Sequence, residues 1–176
     1  NKTSRVNQED YILINTNFGA VNHHLDFFGW FKPLNSDKRS AKERLETMLE
    51  YSSVFQVIGY FLEMITQLAT DYPDKKFVLR PHPTESLELY KEFFKSCKNI
   101  LITKDLSAPE WIDKCSLLIQ HGCTTSIEAH MMNKKVISFY PVDSYLDITN
   151  DIGYLATSYN EIKTIIDNLS DLPFDS

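Results

Sequence analysis

Five short runs of strand-forming residues alternate along this chain with stretches that repeat apolar residues at helical spacing, four of them opened or closed by the pattern Ser/Thr-x-x-Glu. The runs are residues 11–16, 76–80, 99–103, 116–120 and 135–139, each halted by a polar or turn-forming residue. Ser40-x-x-Glu43 precedes Leu45, Met48, Leu49, Phe55, Ile58, Leu62, Ile65 and Leu68, which predicts a helix to about residue 70, with a break expected at 51–53. A second helix is expected over 85–95. Ser107-x-x-Glu110, Thr125-x-x-Glu128 and Ser158-x-x-Glu161 cap further helices ending near residues 114, 133 and 169. Several runs are apolar almost throughout, as strands covered on both faces must be, and the intervening helices supply the crossovers of a parallel sheet. The expected fold is α/β: a doubly wound, Rossmann-like parallel sheet of five or six strands with helices on both faces.

Composition narrows the function. With 176 residues, 43% of them apolar, the chain can bury one core, and residues 11–176 read as one domain behind a polar linker at 1–10. A net charge of −6 disfavours a broad surface for nucleic acid. No apolar run approaches the ~20 residues of a membrane-spanning helix. Cys97, Cys115 and Cys123 fall in no metal-ligand spacing, so reduced thiols and a cytoplasmic setting are expected, with no metal and no cofactor. Asn1 follows no visible signal segment, and a domain cut from a longer protein is expected.

Ligands of open parallel sheets bind beyond the carboxyl ends of the strands, where strand order reverses. For an order 3-2-1-4-5, residues 15–19, with Asn17 and Gly19, face residues 121–125 across that point, and Arg80-Pro-His-Pro83 lies beside them. Segment 121–128 reads His-Gly-Cys-Thr-Thr-Ser-Ile-Glu. It offers His121 at a strand end, Gly122 where a backbone can be approached closely, and the hydroxyls of Thr124, Thr125 and Ser126 on a first helical turn, which suits phosphate. The structural alternative is a capping box, with Thr125 as the cap and Glu128 reaching back. Glu128 is equally a candidate for ribose hydroxyls. His82, stiffened between prolines, is placed to donate to or protonate an oxygen; alternatively it only caps Thr84 or packs on Tyr90. Arg80, last in an apolar strand, needs an anionic partner, which a structural carboxylate could also supply. Asp26 and Glu85 are the nearest carboxylates that could serve as a base. The aromatics Phe18, Phe27, Phe28, Trp30 and Phe31 read as core or as a surface facing another domain, and Trp111 as a packing residue with base stacking as its alternative.

Arg-Pro-His-Pro after one strand, followed by His-Gly-Cys-Thr-Thr-Ser-Ile-Glu-Ala after a later one, resembles the nucleotide-binding C-terminal half of GT-B glycosyltransferases. The resemblance covers residues 11–141 and is to bacterial surface-carbohydrate and capsule biosynthesis proteins of the Kdo-transferase type, similar in turn to bacterial sialyltransferases. It implies that His82 acts catalytically at the phosphate of a CMP-activated sugar such as CMP-Kdo, with Thr124 or Thr125 adding hydroxyl contacts. It also implies inverting transfer to a saccharide or glycolipid acceptor, with the base in an N-terminal domain absent here, and leaves peripheral association with the inner membrane open. Domains like those of UDP-sugar epimerases or CDP-glycerol transferases share this architecture, and a catalytically silent binding or scaffold domain is the competing class.

Overall fold

The computed structural model describes residues 11–25, 39–142 and 152–173. The linker at 1–10, Asp26 and the aromatics Phe27, Phe28, Trp30 and Phe31 lie outside the described residues.

Strands β1 (Tyr11–Asn15), β2 (Lys76–Arg80), β3 (Ile100–Ile102), β4 (Leu117–Gln120), β5 (Lys135–Phe139) and β6 (Tyr154–Ala156) form one sheet in the order β3-β2-β1-β4-β5-β6. Every pairing is parallel. The helices are α1 (Ala41–Asp71), α2 (Glu88–Phe93), α3 (Ala108–Lys114), α4 (Thr125–Met131) and α5 (Tyr159–Asp167). Strand order reverses between β1 and β4, as the expected order required.

Side chains alternate between two cores. Ile12, Ile14, Phe77, Leu79, Leu117, Ile119, Ile137 and Phe139 face α1, α2 and α5. Tyr11, Leu13, Val78, Leu118 and Val136 face Ile112 of α3 and Ala129 of α4. Burial on both faces explains why the strands show no polar alternation.

Some boundaries differ from the sequence expectation. Helix α1 runs unbroken through 51–53, because Tyr51 is buried and Ser53 returns its hydroxyl to the Leu49 carbonyl at 3.3 Å. Helix α2 starts at Glu88 rather than 85, since Glu85 is spent on tertiary hydrogen bonds. Strand β6, three residues long, adds the sixth strand beyond the five placed from sequence. Among the described residues, no helix is long and apolar enough to cross a membrane.

Candidate functional site

At the carboxyl edge, the polar residues that end the apolar runs fall in one row. Asn15 pairs in register with Arg80, and Gln120 with Ser138. The row is wired from strand to strand: Gln120 Nε2 donates to Ser138 Oγ at 2.7 Å, and Asn15 Nδ2 donates to Thr125 Oγ1 at 3.0 Å. Two atoms in it remain unsatisfied among the described residues, Asn15 Oδ1 and Arg80 Nε. Arg80 makes one long contact, from Nη2 to the Leu106 carbonyl at 3.5 Å, and has no carboxylate within ion-pair distance among the described residues. A half-buried guanidinium without a counter-charge is costly unless an anion completes it.

The turn after β4 is held by side chains from the elements around it. Gly122 adopts φ +54°, a left-handed conformation that glycine accepts without strain. Its N–H donates to the Tyr140 hydroxyl at 3.1 Å, its carbonyl accepts from Asn17 Nδ2 at 3.3 Å, and the Cys123 N–H donates to Gln120 Oε1 at 2.8 Å. Ser126 and Ile127 donate their N–H groups to the carbonyls of Cys123 and Thr124. No hydrogen bond from the N–H groups of Thr124 and Thr125 is formed among the described residues. Thr124 is exposed and makes no side-chain cap, so two backbone donors and one hydroxyl remain available at this point. With seven residues in α4, these local donors matter more than a helix dipole.

The expected capping box is not formed here. Thr124 rather than Thr125 is the N-cap, Thr125 Oγ1 donates to Cys123 Sγ at 3.0 Å, and Glu128 leaves Oε2 buried without a partner. Elsewhere the same letters behave as expected, with Glu43, Glu110 and Glu161 accepting the N–H groups of Ser40, Ser107 and Ser158 at 2.6, 2.8 and 3.2 Å.

His121 is 5% exposed and packs against Phe18, Phe61 and Tyr140, with Nδ1–H donated to the Phe139 carbonyl at 2.9 Å. Ser126 is fully buried and donates back to the Cys123 carbonyl at 2.9 Å. Of the three hydroxyls, only that of Thr124 belongs to an exposed residue.

His82 stands two strands from this turn, roughly 10 Å away across β1 by ordinary strand spacing. Its Nδ1 meets Thr84 Oγ1 at 2.8 Å and the Thr84 N–H at 3.3 Å. Tyr90 does not pack on it; that hydroxyl bonds Glu85. Glu85 is fully buried and accepts from Thr16 Oγ1 at 2.8 Å, from the His82 N–H at 2.9 Å and from Tyr90. Burial, reinforced by the Glu85 charge, pushes the Tyr90 phenol well above its ordinary range. Lys104 donates to the carbonyls of Pro83 and Glu85, and its burial lowers its pKa, which Glu85 partly opposes. Glu85 is therefore the foundation of the Arg-Pro-His-Pro turn and is sealed from any acceptor, which removes it as a substitute base.

Gly19 has its place for want of room, since a Cβ there would lie 2.4 Å from Thr84 Oγ1. His23 and His24 stack at 4.4 Å, and partial desolvation followed by the nearby His24 and Lys104 cations lowers the His23 pKa. Among the described residues no cluster could hold a metal ion. Trp111 meets Tyr11 edge-on at 5.7 Å and bonds the Asp105 carbonyl at 2.6 Å, a packing role. Sequence reasoning gave Thr84 only as a partner that His82 caps, and missed Lys104, Gln120 and Ser138. Part of the signal was present, because each apolar run ends in a polar residue at the same edge.

The all-parallel sheet, its reversal point and the helices around it define a Rossmann-like α/β fold. No family model and no curated protein matches the sequence. Solved structures do match in fold. A Methanocaldococcus jannaschii UDP-GlcNAc 2-epimerase in complex with UDP-GlcNAc and UDP aligns with a TM-score of 0.55 at 17% identity, over 95% of this chain and 40% of that one. The Neisseria meningitidis UDP-GlcNAc 2-epimerase bound to UDP-GlcNAc gives 0.53 at 14% identity, over 94% and 36%. An E. coli heptosyltransferase with ADP gives 0.51 at 13% identity, over 93% and 45%. The chain thus shares the fold of one part of GT-B sugar-nucleotide enzymes and spans less than half of each.

Proposed function

We propose that this chain is the donor-nucleotide-binding half of a two-domain GT-B protein that handles nucleotide sugars in surface-carbohydrate synthesis. The observation that carries this reading is the turn at Thr124 and Thr125, whose two N–H groups stay unbonded in a Ser/Thr-x-x-Glu segment that elsewhere in the chain closes on itself. Local rules tend to fail where function requires it.

In this reading the phosphate sits against Thr124 and Thr125. The Arg80 guanidinium and the His82 ring approach from β2, and Glu128 is the candidate carboxylate for the ribose hydroxyls. His121 and Ser126 shape the turn from beneath, and Gly122 lets the backbone come close. Asn17 ties the first loop to Gly122. Donors aimed at a phosphate stabilise the charge that grows there as a glycosidic bond breaks. The base that activates an acceptor belongs to a second domain.

The motifs point to a CMP-activated donor such as CMP-Kdo. A second reading, a UDP-sugar site of the epimerase type, is favoured by the epimerase neighbours, solved with UDP-GlcNAc and UDP. A thermal-shift series with CMP, CMP-Kdo, UMP, UDP and UDP-GlcNAc tests both, because a ligand bound only by the folded state raises stability by RT ln(1 + [L]/Kd). Stabilisation by the cytidine series selects the first reading and by the uridine series the second. No response to any nucleotide would refute the proposal and leave a scaffold domain.

A further inference from the structure

We propose that Thr84 is a positioning residue that locks the His82 imidazole in a single tautomer, with the proton on Nε2. The functional consequence rests on the nucleotide-binding reading above; the geometry does not. The Thr84 N–H points at Nδ1 from 3.3 Å, and a backbone N–H can only donate. Nδ1 is therefore the lone-pair nitrogen of the neutral ring. The Thr84 hydroxyl, 2.8 Å from the same atom, then donates as well, and the ring proton resides on Nε2.

The clamp itself is anchored on every side. The Thr84 carbonyl accepts from the His24 N–H and from His24 Nδ1, each at 2.9 Å. The His82 N–H goes to Glu85 Oε1 at 2.9 Å, and the His82 carbonyl accepts the Glu85 N–H at 2.9 Å. Pro81 and Pro83 restrict the backbone on either side of the ring. Gly19 completes the arrangement from β1's loop: any side chain there would drive Thr84 Oγ1 from its position, 2.4 Å being far inside contact distance. Gly19 thereby acts on His82 through Thr84.

The consequence is chemical. A phosphoryl oxygen only accepts hydrogen bonds, so an Nε2–H complements it, whereas the opposite tautomer would turn a lone pair toward an anion. A fixed donor also loses no entropy to tautomer exchange when the ligand arrives.

Imidazole nitrogen spectra of the full, 15N-labelled chain test this, with His82 assigned by its loss in His82→Asn. UDP and CMP titrations run in parallel. The expected wild-type result is a pyrrole-type Nε2 and an Nδ1 shifted as a hydrogen-bonded acceptor. Thr84→Val, which keeps the backbone N–H and removes the hydroxyl, should move Nδ1 toward the free pyridine-type position, loosen the ring and weaken nucleotide binding about five-fold. Thr84→Ser should restore both. Gly19→Ala, which leaves Thr84 in the sequence, should act in the same direction as Thr84→Val. A wild-type ring protonated on Nδ1 overturns the proposal. So does a Thr84→Val chain whose affinity falls while both ring nitrogens keep their signals, since Thr84 would then act on the ligand itself. A clamped ring in a chain that binds neither nucleotide would uphold the clamp and refute the nucleotide reading.

Discussion

At the amino edge of the sheet, helices end around a cavity of about 610 Å³ whose lining includes Lys75, Lys76, Lys134 and Lys135. Lys134 donates to the carbonyls of Asp113, at 2.6 Å, and Cys115, and Lys135 to that of Leu169, so these charges are consumed in closing helix ends. At the carboxyl edge, helices begin. The N–H groups of Thr124 and Thr125 are unbonded there and Arg80 has no carboxylate among the described residues. Lys134 and Lys135 at the amino edge are thus already engaged, while the carboxyl edge has donors in surplus. Polarity of free groups, rather than cavity volume, marks the edge suited to an anion.

The sharpest way to break the carboxyl edge is Glu85→Ala. It strands the donors of Thr16, Tyr90 and the His82 backbone in the interior, and should cost about 3 kcal/mol in urea unfolding. A loss below about 1 kcal/mol would mean that the turn does not depend on this carboxylate.

Arg80→Met separates binding from folding. Removing an unpaired guanidinium should leave stability unchanged or raised, while nucleotide affinity by calorimetry falls by about 2 kcal/mol. Equal losses in both would give Arg80 a structural role. Lys134→Met should do the reverse at the amino edge, lowering stability by about 0.5–1 kcal/mol and leaving affinity untouched.

The fold was largely legible because burial on both faces writes itself as unbroken apolar runs such as Leu117 to Ile119. The site was legible only in part. Ser40, Ser107 and Ser158 begin boxes that close, but Thr125-x-x-Glu128 uses the same letters and stays open. The difference comes from tertiary partners: Asn15 and Cys123 take up the Thr125 hydroxyl. Glu85 reads as a candidate base at a helix start, whereas a tertiary contact with Thr16, 69 residues away, joins the local bonds of His82 and Tyr90 in spending it on structure. Gly19 reads as a turn glycine, whereas it is Thr84, far along the chain, that excludes a side chain. Contacts between distant segments leave no local period to read.

The closed boxes supply the smallest effect. Hydrogen bonds from Thr157 and Ser158 hold the Glu161 carboxyl below its ordinary range. Its stabilisation is then complete above the unfolded value of about 4.3 and is lost as pH falls through the lower folded value. Glu161→Gln should flatten that part of the stability profile between about pH 5 and pH 3, measured by thermal unfolding. An unaltered profile would show that the box contributes nothing at this helix start.

The most direct measurement is a backbone amide titration of the 15N-labelled chain with UDP and with CMP. The account predicts saturable shifts concentrated at Arg80, His82, Gly122, Thr124 and Thr125, with Asn133, Lys134 and Lys135 unmoved. Shifts centred on those three amino-edge residues instead, with Thr124 and Thr125 silent, would contradict it.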